Sequence, residues 1–246
     1  MPLSFLKNLQ LKNSPSALSF AYELVRSARR RSISIEISKA RVVVRAPQFV
    51  AKVEIERFVH EKASWVQQKL VQQEQQLSSA PTYNFAPGSV MPYLGDALTL
   101  IVHKQPKSDV VRYGDKLLVI LSTRARVTDE QQTKRLVCQW VQEQAQILLK
   151  AKTDAATAQL GIRHAGIALK ATRSKWGHCT AQGAIQYNWQ IMLAPEPVVD
   201  YLVAHEVSHL LHHNHGPAFW ALVERLCPDY KKRRAWLKTN GAQLMF

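Results

Sequence analysis

The stretch His205-Glu206-Val207-Ser208-His209-Leu210-Leu211-His212-His213-Asn214-His215 holds five of the chain's nine histidines, and its reading decides the rest. On an α-helix, residues four apart lie about 40° apart around the axis and about 6 Å along it, so His205 and His209 face one shared point. That is the reach of a single zinc ion, whose Zn–N bonds are about 2.0–2.1 Å. Glu206 adjoins the first histidine, where its carboxylate can take a proton from water at the ion. H-E-x-x-H is the signature of zinc hydrolases, so the run points to metal-assisted hydrolysis with Glu206 as general base.

A catalytic zinc site has three protein ligands and one open position, and three residues compete to be the third. His212 would share the face of a continued helix, but three ligands in a row along one axis cannot make a tetrahedron, so it is expected beside the metal or facing substrate. His215 would point away on a continued helix. Asn214, Gly216 and Pro217, however, stop a helix and turn the chain, which brings His215 back under the metal. Glu224, on a helix expected to start at Pro217, would give a two-histidine, one-glutamate site and ranks below His215. The spacing of His205, His209 and His215 is similar to that of metzincin proteases. His212 stands where those carry a glycine and no methionine turn is legible, so the chain is not assigned to that clan.

The segment Arg173-Ser174-Lys175-Trp176-Gly177-His178-Cys179, the pair Asn188-Trp189, the histidine run, and Asn214-His215-Gly216-Pro217-Ala218-Phe219-Trp220 leading to Pro228-Asp229-Tyr230 resemble the YgjP-like family of metal-dependent hydrolases, related to zinc metallopeptidases. The resemblance extends to the Arg-rich N-terminal strands, Ala46-Pro47 and Tyr93-Leu94-Gly95. It implies zinc at His205, His209 and His215 with Glu206 catalytic. Where such families read Trp-Gly-Ser-Cys, this chain has His178 in place of the serine.

The composition is that of a soluble enzyme of one large core or two modest ones. Three cysteines, Cys138, Cys179 and Cys227, have no paired spacing, which suits a reduced cytoplasm. The apolar run from Ser16 to Val25 is short and interrupted by Tyr22 and Glu23, so it reads as a strand and not as a signal peptide or membrane span. Lys and Arg number 33 against 18 Asp and Glu, a net charge of +15, clustered at Arg29-Arg30-Arg31, Arg124 with Arg126, and Lys231-Lys232-Arg233-Arg234. Such an excess favours a nucleotide, a nucleic acid or another anionic partner. Solvated faces are the favoured reading of the clusters, since no stacking surface or nucleic-acid motif accompanies them.

The expected fold class is α+β: a β-rich N-terminal domain with one long helix over 1–128, then a zincin-like catalytic domain over 129–246. Ile33–Ile37 and Arg41–Arg45 alternate as a hairpin, and Val53–Leu77 carries Ile55, Val59, Ala63, Val66 and Leu70 on one helical stripe. Pro81 and Pro87-Gly88 mark a linker. Strands follow at Leu98–Val102 and Leu117–Leu121 with a turn at Tyr113-Gly114-Asp115. Thr128 caps a long helix that buries Leu136, Trp140, Ile147 and Leu148 and ends at Gly161. Strands Ile167–Thr172 and Ala184–Leu193 precede the metal helix, which starts at Pro195 and Pro197. Ala184–Leu193 is the candidate edge for an extended peptide, and Trp176 with Gly177 a candidate cleft wall. His60, His103, His164 and His213 read as ordinary surface or satisfied residues, and Trp189, Phe219, Trp220 and Trp236 as core.

The expected reaction is hydrolysis of a peptide or protein substrate, with Tyr201, His212 and Arg173 as candidates to steady the oxyanion. Two other readings stand beside it: a metal-dependent nucleotide phosphohydrolase, and a basic DNA-associated protease or binding protein. The absence of a glycine loop that cradles phosphate counts against the first of these.

Overall fold

Alternating apolar residues and well-placed caps build two compact units, Met1–Ser79 and Ala80–Phe246. The computed structural model describes residues 18–38, 41–78, 83–172 and 174–245. The architecture is mixed α+β.

In the first unit, β1 (Tyr22–Ser27), β2 (Ser34–Ser38) and β3 (Arg41–Pro47) form a sheet of order β1-β3-β2, with β3 parallel to β1 and antiparallel to β2. The period-two alternation thus produces the expected hairpin. Alternate residues Val44 and Ala46 of β3 bury against Ile55 and Val59 of α1 (Lys52–Glu61). The single helix expected over Val53–Leu77 is two, α1 and α2 (Ala63–Ser78), because Lys62 leaves the helical region at φ −97°, ψ 2°. Ile55, Val59 and Val66 nevertheless stay buried on one stripe. The expected linker residue Pro81 lies outside the described residues.

The second unit opens with β4 (Val90–Tyr93), β5 (Asp96–Gln105), β6 (Asp109–Tyr113) and β7 (Lys116–Ser122) in the order β4-β5-β7-β6. β5 and β7 are parallel neighbours, and the turn at Gly114 (φ 57°) joins β6 to β7 instead. Leu98, Leu100, Leu117, Val119 and Leu121 share one core with Leu136, Val137 and Trp140 of α3 (Asp129–Leu160). The division expected near residue 128 therefore falls inside this unit: composition changes there, but the apolar core is continuous across it.

Thr128 caps α3 with a complete capping box, its side chain accepting from Gln131 N while the Gln131 side chain accepts from Thr128 N. Gly161 ends the helix in the left-handed region at φ 66°. Ile147 is 66% exposed, contrary to expectation. The buried stripe runs Val141, Ala145, Leu149, Thr153, Thr157 in steps of four, and this period rotates away from Ile147.

β8 (Gly166–Lys170), β9 (Gly177–Cys179) and β10 (Ala184–Asn188) form a sheet of order β8-β10-β9. The strand expected to run to Leu193 stops at Asn188, whose side chain accepts from Gln190 N and starts a 3₁₀ turn over Trp189–Leu193. β10 pairs on both sides, parallel to β8 and antiparallel to β9, so it is the central strand and not an edge; β8 and β9 are the edges. Three helices complete the unit: α4 (Glu196–Ser208), α5 (Pro217–Leu226) and α6 (Tyr230–Asn240). As expected, α4 starts at Pro195 and Pro197. No described helix is long and apolar enough to cross a membrane.

Candidate active site

α4 delivers His205 in its last turn and ends at His209, which still has helical angles of φ −67°, ψ −18°. Beyond it the chain tightens, with Leu210 N donating to Val207 O and Leu211 N to Ser208 O, then turns so that Gly216 and Pro217 open α5. His215 comes back to the other two histidines by this turn. One ring nitrogen from each of His205, His209 and His215 lies within 4.8 Å of the others, and His205 Nε2 to His215 Nε2 is 3.2 Å. Tetrahedral ligands on bonds of the zinc length lie about 3.3–3.4 Å apart, so the spacing suits one ion.

Glu224 is not in the cluster; it is exposed on α5, 4.0 Å from Lys231 Nζ. His212 contributes its backbone, its carbonyl accepting from His209 Nδ1 at 3.1 Å. That bond fixes the His209 ring and leaves its other nitrogen with a lone pair. Phe219, fully buried on α5, packs under all three imidazoles at centroid distances of 5.0, 4.6 and 4.7 Å. Tyr201, one turn before His205, meets that ring edge-on at 5.9 Å, and Trp220 stacks on His215 at 5.7 Å. Phe219 is a core residue, whereas Trp220, expected in the core, is half-buried against it; both pack on the histidine rings.

Burial pushes the His205 pKa down to about 3, helped by His209, His215 and Arg234, and burial likewise lowers that of His209. These rings are therefore neutral and able to donate lone pairs at physiological pH. Glu206 is 3% exposed, and its burial raises the carboxyl pKa to about 8 against an opposing pull from Lys175. Its Oε2 is buried without a hydrogen-bond partner among the described residues, as is His205 Nδ1. An orphaned carboxylate oxygen beside three converging imidazoles fits a site built around a cation and water.

β9 closes over Glu206 at a glycine. A Cβ on Gly177 would lie 2.5 Å from Glu206 Cδ and 2.6 Å from Cγ, so only glycine permits this approach. The cleft, of about 360 Å³, is walled by Lys175, Gly177, His178, Cys179 and His213 together with the histidine cluster and Glu206. Trp176, expected on the wall, instead packs its ring on Gly241, where a Cβ would stand 3.0 Å from Nε1. Tyr201 lies behind His205 and the His212 side chain is not on the wall. Arg173 lies outside the described residues. His213, taken as ordinary surface, and Lys175, His178 and Cys179 are the wall residues that the sequence left without a role. Their signal was position, since they adjoin the Trp176-Gly177 turn and the histidine run.

The model of the family described as YgjP-like, metallopeptidase domain, matches residues 31–240, and the chain belongs to that family. The crystal structure of the metallopeptidase zymogen of Pyrococcus abyssi abylysin aligns with 40% of this chain and 99% of its own, at 19% identity and a TM-score of 0.36. Comparison with curated proteins finds no match.

Proposed function

We propose that this chain is a zinc-dependent peptidase whose second unit contains a zincin-like core, with His205, His209 and His215 holding the ion and Glu206 as general base. The observation that carries this reading is the convergence of three imidazoles beside a buried carboxylate whose Oε2 has no hydrogen-bond partner among the described residues. Nitrogen-only ligation suits zinc, and an ion held there supplies Lewis acidity to the scissile carbonyl and acidifies water.

The protein's own residues do the rest. Glu206 Oε2 takes the proton of the attacking water and passes it to the leaving amine. Burial under Gly177 makes this carboxylate a stronger base than one in water. Phe219 and the His212 carbonyl keep the imidazoles in place. An extended substrate pairs with the free edge of β9, which runs along the cleft wall.

Elemental analysis of purified protein tests the reading, with wild type beside Glu206→Gln. The expected result is about one zinc per chain in both, with cleavage of a peptide library by the wild type alone. Absence of stoichiometric metal from protein purified without chelators would sink it.

A further inference from the structure

The cleft wall carries a pronounced charge asymmetry. Its one carboxylate is Glu206, buried and pointed inward, whereas Lys175 is exposed at the rim. Lys175 has no acidic group within ion-pair distance among the described residues. Its charge is felt by Glu206, and that of Arg234 by His205, so both permanent cations acting on the centre reinforce the same sign. Arg234 lies over the Trp220 ring at 4.6 Å and is not on the wall. Lys175 is the cation a ligand in the cleft would meet.

The backbone that carries it is also held in place. Thr172 Oγ1 donates to the Lys175 carbonyl at 2.6 Å, Asn188 Nδ2 to the Thr172 carbonyl at 2.8 Å, and Asn188 N to the Trp176 carbonyl at 2.7 Å. The turn is thus pinned to the end of β10 from both sides. Lys175 lies two residues before the edge strand β9, along which an extended chain would pair, so its ammonium borders the path of that chain.

We propose that Lys175 is a specificity-determining residue that binds a carboxylate of the substrate beside the scissile peptide, so that the cleft selects acidic over neutral and basic peptides. This rests on the peptidase reading above. The carboxylate is either an acidic side chain or a chain terminus, two sources of one chemistry.

Zinc-loaded Glu206→Gln protein, alone and combined with Lys175→Gln or Lys175→Arg, would be titrated with C-terminally amidated peptides differing at one position as Glu, Gln or Lys. A neutral peptide with free or amidated C-terminus forms the second arm. The acidic or free-terminus peptide is expected to bind about tenfold more tightly than its neutral match, the size of one charge-assisted hydrogen bond. Lys175→Gln should abolish the difference, Lys175→Arg should keep it, and added salt should shrink it. Equal binding of all peptides, or a preference that survives Lys175→Gln, would overturn the proposal. So would a single-stranded oligonucleotide that displaces the peptides with the same dependence on Lys175. Cleavage by the wild-type chain, scored in parallel, separates the two ideas. Cleavage without acidic preference leaves the peptidase standing and removes the role of Lys175. Preferential binding without cleavage does the reverse.

Discussion

Replacing Gly177 by alanine perturbs the candidate base without touching a histidine. The new Cβ would stand 2.5 Å from Glu206 Cδ, and ordinary contact begins at 3.4 Å, so the carboxylate must retreat by about 0.9 Å. The atoms that give way are the end of a side chain, so the stability cost is at the low end of overpacking, about 1 kcal/mol, or about 2–4 °C in Tm for a unit of this size. A displacement of that length in a proton-transferring group costs about a hundredfold in rate. The assay combines three readouts on one preparation: zinc stoichiometry, thermal melting, and cleavage of a peptide library quantified by mass spectrometry. Metal content should match the wild type while cleavage falls about a hundredfold. Cleavage within a factor of two of the wild type at full metal load would refute the idea that β9 positions Glu206, and simultaneous loss of metal would show that Gly177 serves the histidines instead.

Three further outcomes follow from the same geometry. In chelator-treated protein, Glu206 titrates at 4.5 when unfolded and at about 8 when folded, so the folded state holds a proton that the unfolded state releases between those values. Stability should therefore fall as pH rises through that window, by about 3 kcal/mol from pH 4.5 to pH 7, and Glu206→Gln should remove that slope in urea titrations; parallel pH curves for the two proteins would contradict this. His215→Ala should weaken zinc binding sharply while Glu224→Ala leaves it unchanged, as measured by elemental analysis after dialysis against a competing chelator. Thr128→Ala removes the capping box of α3 and should lower stability by about 1 kcal/mol, and an unchanged melting curve would show that the cap is dispensable.

How much of this was legible in the sequence varies with the range of the interaction involved. Local chemistry read well: Thr128 and Gly161 bound α3, Pro195 and Pro197 open α4, and Asn214, Gly216 and Pro217 foretold the turn that returns His215. Long-range pairing did not. β4 was missed; it carries Pro92, which its edge position tolerates because a missing N–H there breaks no ladder. β5 and β7 looked like hairpin partners, whereas the intervening β6 makes the hairpin with β7. Alternation identifies a strand but not its neighbours, so the central place of β10 and the edge position of β9 had to come from the structure. Within the cleft, the motif marked Glu206, but nothing local said that Gly177, 29 positions earlier in the chain, lies against it.

The three candidate ligands lie within eleven consecutive residues, which bears on how metal binding and folding are linked. An ion there would cross-link a short loop, and the entropy of closing a loop grows only slowly from a small value, so little chain entropy opposes its capture. The order it confers would be local, confined to the end of α4 and the turn into α5, while the core of Leu98, Val119, Val137 and Leu149 lies elsewhere. Loss of the ion should thus speed amide exchange from His209 to Gly216 and leave α3 protected, making the centre a separately melting element on a scaffold that stands without it.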